Sequence, residues 1–174
     1  MMALKKVLTI AGSDTSAGAG MQADLKTFQE LDVYGMVALT SIVTMDKETW
    51  SHDVTPIDMN VFEKQLETAI SIGPDAIKTG MLGTEEIIKR AGEVYEQSGA
   101  DYFVVDPVMV CKGEDEVLNP GNTDAMIQYL LPKATVVTPN LFEAGQLSGL
   151  GKLTSIEDMK KAAQIIFDKG TKHV

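Results

Sequence analysis

An α/β fold built on a mainly parallel sheet is predicted by three features of this 174-residue chain. Short β-rich runs alternate with segments of helical period, polar or glycine-containing stretches follow the runs, and 44% of the residues are hydrophobic. Alternation of this kind favours parallel strands joined by helical crossovers. The length suits one domain with a sizeable buried core.

The first run, Val7 to Ile10, gives way to a small-residue loop from Gly12 to Gly20, after which Met21, Leu25 and Phe28 repeat at helical spacing. Glycines in such a strand-loop-helix unit let a ligand approach the backbone, and the helix start presents free N–H groups at the positive end of its dipole. The loop therefore reads as a binding site, although glycine-rich turns also serve as plain connections. A second run spans Val37 to Thr44, and the segment Met45 to Ile57 that follows fits no simple crossover. Phe62, Leu66 and Ile70 mark the next helix, Ala76 to Lys78 the third run, and Thr84 caps a helix carrying Ile88, Ala91 and Tyr95. Tyr102 to Val105 and Val136 to Thr138 complete the strands. Ser155, with Asp158 three residues on, opens a last helix whose apolar face is Ile156, Met159, Ala163 and Ile166.

Composition narrows the function. A net charge of −10 argues against nucleic acid or an anionic membrane as the main partner, since either favours a basic face. One cysteine and no charged-then-apolar leader point to a reducing cytoplasm and exclude an intrachain disulfide. Gly18 to Ala23 formally fits the dinucleotide pattern Gly-x-Gly-x-x-Gly/Ala, but Gly18 lies well beyond the strand and no acid ends a second strand at the usual distance. No Gly-Lys-Ser or Gly-Lys-Thr occurs, so a phosphate loop of that kind is absent.

Ligands of open parallel sheets bind outside the carboxyl ends of the strands. Gly12, Ser13 and Asp14 follow the first run, Lys78 to Leu82 the third, Asp106-Pro107 the fourth and Pro139-Asn140 the fifth. Their shared position favours one site along that edge over four separate structural roles.

Taken together, "TIAGSDTSAGAGMQADLKTFQEL", "YGMVALTSIVT", "IKTGMLG", "VVDPVMV" and "VVTPNLFEA" resemble the ribokinase-like superfamily, in its branch of hydroxymethylpyrimidine kinases and bacterial pyridoxal kinases. The resemblance runs from about Lys6 to the last residue. It implies a three-layer α/β/α domain with a small β flap at about residues 45–57 and a lid at about 109–120. It also implies ATP-dependent phosphorylation of a hydroxymethyl group on a small heteroaromatic ring, with Mg2+ at the phosphates, in a homodimer. Monovalent-cation dependence stays open.

Carried over residue by residue, the resemblance places Gly12, Ser13, Asp14, Gly20, Met45, His52, Met81 and Val108 around the substrate. Asp106, Asn140 and Glu143 fall beside ATP, with Asp106 and Glu143 toward the metal, through water. The structural alternative for Asn140 and Glu143 is a helix cap and its first turn. At Met45 the pyrimidine kinases usually have glutamine; a thioether cannot supply that amide's paired donor and acceptor, which favours a pyridine ring. Cys111 stands where those kinases commonly have alanine. Beside Lys112, its thiol is a candidate for reversible addition to an aldehyde, against the commoner role of a buried packer.

Family members run on for about another hundred residues with a second glycine-rich motif, an anion hole and the catalytic base, none of which occurs here. The expectation is therefore the N-terminal portion, residues 1–174, of a longer domain, inactive alone. Pyridoxal, pyridoxine and pyridoxamine kinase of vitamin B6 salvage is the leading reading. The alternatives are a hydroxymethylpyrimidine (phosphate) kinase of thiamine biosynthesis, a catalytically silent binding module and, last, an NAD oxidoreductase.

Overall fold

The computed structural model describes residues 4–109 and 120–174. Its elements follow the order β1 (Lys6–Asp14), α1 (Gly20–Glu30), β2 (Tyr34–Met45), β3 (His52–Pro56), α2 (Met59–Ile72), β4 (Ala76–Thr79) and α3 (Glu85–Ser98). There follow β5 (Tyr102–Val105), α4 (Pro120–Tyr129), a 3-10 turn (Leu131–Lys133), β6 (Val136–Val137), α5 (Leu141–Ser148) and α6 (Ile156–Asp168).

The six strands form one sheet in the order β3-β2-β1-β4-β5-β6, parallel except for β3, which pairs antiparallel with β2. The chain builds outward from β1 on one side and then, through β4, on the other. The switch point lies between β1 and β4, and ligands of such sheets bind at the strands' carboxyl ends there.

Alternation along the strands decides which helices cover which face. Leu8 and Ile10 point with Ile77, Phe103, Val105 and Val137 into a core filled by Phe62 and Leu66 of α2, Ile88 and Val94 of α3, and Met126 and Leu130 beside them, all at most 1% exposed. Tyr95 of α3 stacks on Phe103 with ring centroids 4.6 Å apart. The opposite face carries Thr9, and α1 lies there against β1 and β2. Gly35 of β2 permits this approach, because a Cβ there would fall 2.7 Å from Leu25 Cδ2 and 2.9 Å from Phe28 Cδ2.

The predicted caps are present. Thr84 Oγ1 accepts from Ile87 N, and Ser155 forms a full capping box with Asp158. Two differences from the sequence reading bear on the site. Gly12, Ser13 and Asp14 are not loop: β1 shifts register between Ala11 and Ser13 and then continues, pairing Ser13 with Ile42 and Asp14 with Val43. A bulge lets a strand re-aim its side chains without ending its pairing. The helix α4, which the sequence reading left out although Asn119-Pro120 is a helix-start pattern, begins at Pro120, and Cys111 with most of the expected lid lies outside the described residues.

Candidate active site

At the carboxyl edge, the first loop folds around one of its own side chains. Asp14, 9% exposed, accepts hydrogen bonds from Ser16 N at 2.8 Å, Ser16 Oγ at 2.8 Å and Ala19 N at 2.9 Å. Burial works against the Asp14 carboxylate, but hydrogen bonds from the Ser16 hydroxyl and the amides of Ser16, Ala19 and Gly18 outweigh it and hold the pKa below the ordinary value. Gln22, one turn into α1, accepts from Asp14 N at 2.9 Å and donates to Ser13 Oγ at 2.7 Å. The amides ahead of α1 thus face a resident carboxylate.

Glycine is required at two points of this loop. Gly20 has φ +59, and a Cβ there would sit 2.5 Å from the Gly12 carbonyl oxygen. A Cβ on Gly12 would meet Ser41 Oγ at 2.7 Å and approach Met81 Cβ at 3.8 Å. Gly12, Ser13, Asp14, Gly20 and Met81 are therefore brought together, and Met81 is fixed by its carbonyl, which accepts from Thr40 Oγ1 at 2.6 Å. Met45 and His52 are direct partners across the β2–β3 pair, at the end of β2 beyond Val43. The segment that fits no crossover turns back through Asp46, whose carboxylate accepts from the Glu48 and Thr49 amides.

On the other side of the switch point, Asp106 leaves β5 with its amide donating to Thr79 O, and half-buried Val108 follows. Asn140 and Glu143 form a capping box on α5, with Asn140 Oδ1 accepting from Glu143 N and Glu143 Oε2 accepting from Asn140 N, each at 2.9 Å. Glu143 is 4% exposed. Burial pushes its pKa up to about 7, the amides of Asn140 and Met109 oppose the shift, and the nearby Asp106 carboxylate adds to it. Asp106 is also raised, by burial first and by Asp24 after it, with Lys78 pulling the other way. The cap role and a site role coexist in Asn140 and Glu143.

The sequence-predicted residues thus share an edge but form two groups. Met45 and His52 on one side and Asn140 and Glu143 on the other are separated by the four strand spacings from β2 to β6, roughly 19 Å at the usual spacing. Between the groups stands a cluster in which sequence reasoning placed Lys78 at the edge but missed its partners Asp24 and Thr9. Lys78 Nζ lies 3.0 Å from Asp24 Oδ1 and 3.6 Å from Asp106 Oδ2, and Asp24 Oδ2 accepts from Thr9 Oγ1 at 2.6 Å. A lysine inside a short, otherwise apolar strand was the available signal.

Among the described residues no group of three or more His, Cys, Asp and Glu side chains is arranged to hold a metal ion. Asp106 and Glu143 are hard oxygen donors. Because Glu143 already accepts from two backbone amides, its remaining lone pairs suit contact through water, in keeping with the shell that Mg2+ retains. Among the described residues no helix is long and apolar enough to cross a membrane.

Comparison with known proteins agrees with this fold. The profile described as phosphomethylpyrimidine kinase matches residues 14–174. The chain belongs to that family. A Staphylococcus epidermidis relative, provisionally named pyridoxine kinase, is 94% identical over 173 residues, which are 99% of this chain and 63% of that protein. Pyridoxal kinase from Staphylococcus aureus, solved in complex with pyridoxal, superposes with a TM-score of 0.94 at 88% identity over 98% of this chain and 63% of that one. The hydroxymethylpyrimidine/phosphomethylpyrimidine kinase of Bacillus subtilis is 40% identical over 99% of this chain and 64% of its own length. The chain therefore spans less than two thirds of these family members' length.

Proposed function

We propose that this chain carries the ligand-holding part of an ATP-dependent kinase for pyridoxal, pyridoxine and pyridoxamine, which transfers a phosphoryl group to the ring's 5-hydroxymethyl oxygen. The observation that carries the reading is the single sheet edge on which the Gly12–Asp14 end of β1 and Met81 stand on one side of the switch point and Asp106, Asn140 and Glu143 on the other. Support for the vitamin comes from the pyridoxine and pyridoxal kinase names of the staphylococcal relatives and from a Staphylococcus aureus structure described as a complex with AMP-PCP and pyridoxal, 86% identical to this chain.

In this reading Gly12, Ser13, Asp14, Gly20, Met81 and Val108 shape the ring pocket, and Met45 with its partner His52 closes it from the β2–β3 pair. Phosphoryl transfer needs little covalent chemistry from the protein, so positioning and charge do most of the work. Asp106 and Glu143 hold Mg2+ through water, and the ion when bound neutralises charge on the phosphates. Asn140 keeps Glu143 aimed through the capping box. The family resemblance supports a homodimer, and the single cysteine supports a reducing cytoplasm.

Hydroxymethylpyrimidine kinase is the second reading, favoured by the family's own description and the Bacillus subtilis relative. Titrating the chain with pyridoxal and with hydroxymethylpyrimidine, each in the presence of Mg2+ and AMP-PCP, separates the two. Pyridoxal binding at least tenfold tighter is expected. The reverse preference would turn the assignment to the pyrimidine, and affinity for neither ring would remove the kinase reading.

A further inference from the structure

We propose that Lys78 is a positioning residue whose ammonium ties the carboxylate carried by α1 to the carboxylate that follows β5, holding the ring side and the nucleotide side of the cleft at one spacing. This rests on the reading above that both ligands occupy this edge.

The geometry is specific. Lys78 Nζ approaches both oxygens of Asp24, at 3.0 and 3.1 Å, and Asp106 Oδ2 at 3.6 Å. The Lys78 and Asp24 side chains are only 20% and 16% exposed, so this is a sheltered pair, whose members depend on each other far more than those of a surface pair. Asp24 has a second tether in Thr9 Oγ1, on the neighbouring strand and directly opposite Lys78 in register. A Cβ at Gly80 would lie 3.3 Å from Nζ, so the small residue two positions on leaves room for the ammonium.

Topology explains why the tie belongs on β4. That strand adjoins β1, which leads into the glycine loop, and β5, which leads to Asp106. Rigid elements hold a site more firmly when side chains join them than when loops alone do. Two carboxylates and one ammonium leave the cleft floor with a single net negative charge. Without Lys78, Asp24 and Asp106 would meet an incoming triphosphate as two uncompensated charges. An ammonium can serve two carboxylates at once because it is a compact point charge with three donors.

The test uses the purified chain and its K78M, K78R and K78M/D24N variants, with circular dichroism to confirm folding and titrations of MgAMP-PCP and of pyridoxal. K78M is expected to weaken MgAMP-PCP at least tenfold, and K78R to stay within threefold of the wild type. K78M/D24N removes one of the two stranded carboxylates and restores the net charge of the cluster, so it is expected to regain part of the lost melting temperature, while the nucleotide defect that persists reports the missing tie to Asp106. Folded K78M with both affinities within twofold of the wild type overturns the proposal, and so does equal loss in K78R and K78M. If K78M does not fold, wild-type nucleotide affinity in K78M/D24N overturns it. A wild-type chain that binds neither ligand would instead fail the functional reading, and this inference with it.

Discussion

Replacing Glu143 by glutamine should reverse its effect on stability between acid and neutral pH. Burial raises the Glu143 pKa from 4.5 to about 7, so the folded state binds a proton more tightly than the unfolded chain does. Below pH 4.5 both states hold the proton and the group costs nothing. As pH rises from there the folded state bears a growing penalty, which levels off above pH 7. A shift of that size corresponds to roughly 3 kcal/mol at pH 8. Glutamine removes the penalty but has one acceptor oxygen for the amides of Asn140 and Met109, whereas the carboxyl group keeps acceptor capacity on both oxygens even when protonated, a difference of about 1 kcal/mol. The variant should therefore be about 1 kcal/mol less stable near pH 4.5, equal near pH 5 and about 2 kcal/mol more stable at pH 8. Urea unfolding of the two proteins at pH 4.5, 5, 6, 7 and 8 measures this directly, and the expected gain at pH 8 is about 1 M in midpoint. A difference that stays constant across pH would refute the argument, because the carboxylate would then be titrating alike in both states.

Three further outcomes are expected. Gly20→Ala should destabilise the fold by at least about 2 kcal/mol, since αL backbone and contact with the Gly12 carbonyl act together; thermal melts check this, and an unchanged melting temperature would mean that the loop relaxes freely. Asp14→Asn should cost about 1 to 3 kcal/mol at pH 7. Because the Asp14 pKa is lowered in the folded state, the wild type's advantage is present above the ordinary carboxylate value and is lost as pH falls through the folded one, so the two denaturation curves should draw together as pH falls below 3.8. Met45→Gln should shift the ratio of pyridoxal to hydroxymethylpyrimidine affinity at least fivefold toward the pyrimidine, measured by competitive titration; an unchanged ratio would remove Met45 from the specificity argument.

Local chemistry made much of this fold legible. The apolar runs of β1, β2, β4 and β5 and the caps at Thr84, Asn140 and Ser155 announce themselves within a few residues, because burial periodicity and N-capping are short-range effects. The clustering of Gly12, Asp106 and Asn140 was readable for a related reason: strand ends in a parallel sheet share an edge wherever the strands run. Partnerships set by register were not readable. Nothing near Asp14 in sequence says that β1 will pass a bulge and continue, or that the glycine loop will close on that carboxylate rather than await an external anion. Lys78, Asp24 and Thr9 meet only because β4 pairs with β1 while α1 crosses their shared face, a coincidence of three elements up to 69 residues apart in sequence. The sequence thus put Lys78 at the right edge without showing which carboxylates it would join.

The closure of residues 14–19 around Asp14 also bears on how quickly a ligand could be received. A loop whose amides already have partners does not have to be organised when a small molecule arrives, so little entropy remains to be lost at that step. Association would be set by diffusion and ring desolvation, and calorimetry should show a heat-capacity change no larger than the buried ring area accounts for. The first loop would then behave as a finished wall of the cleft, leaving any induced ordering to other parts of it.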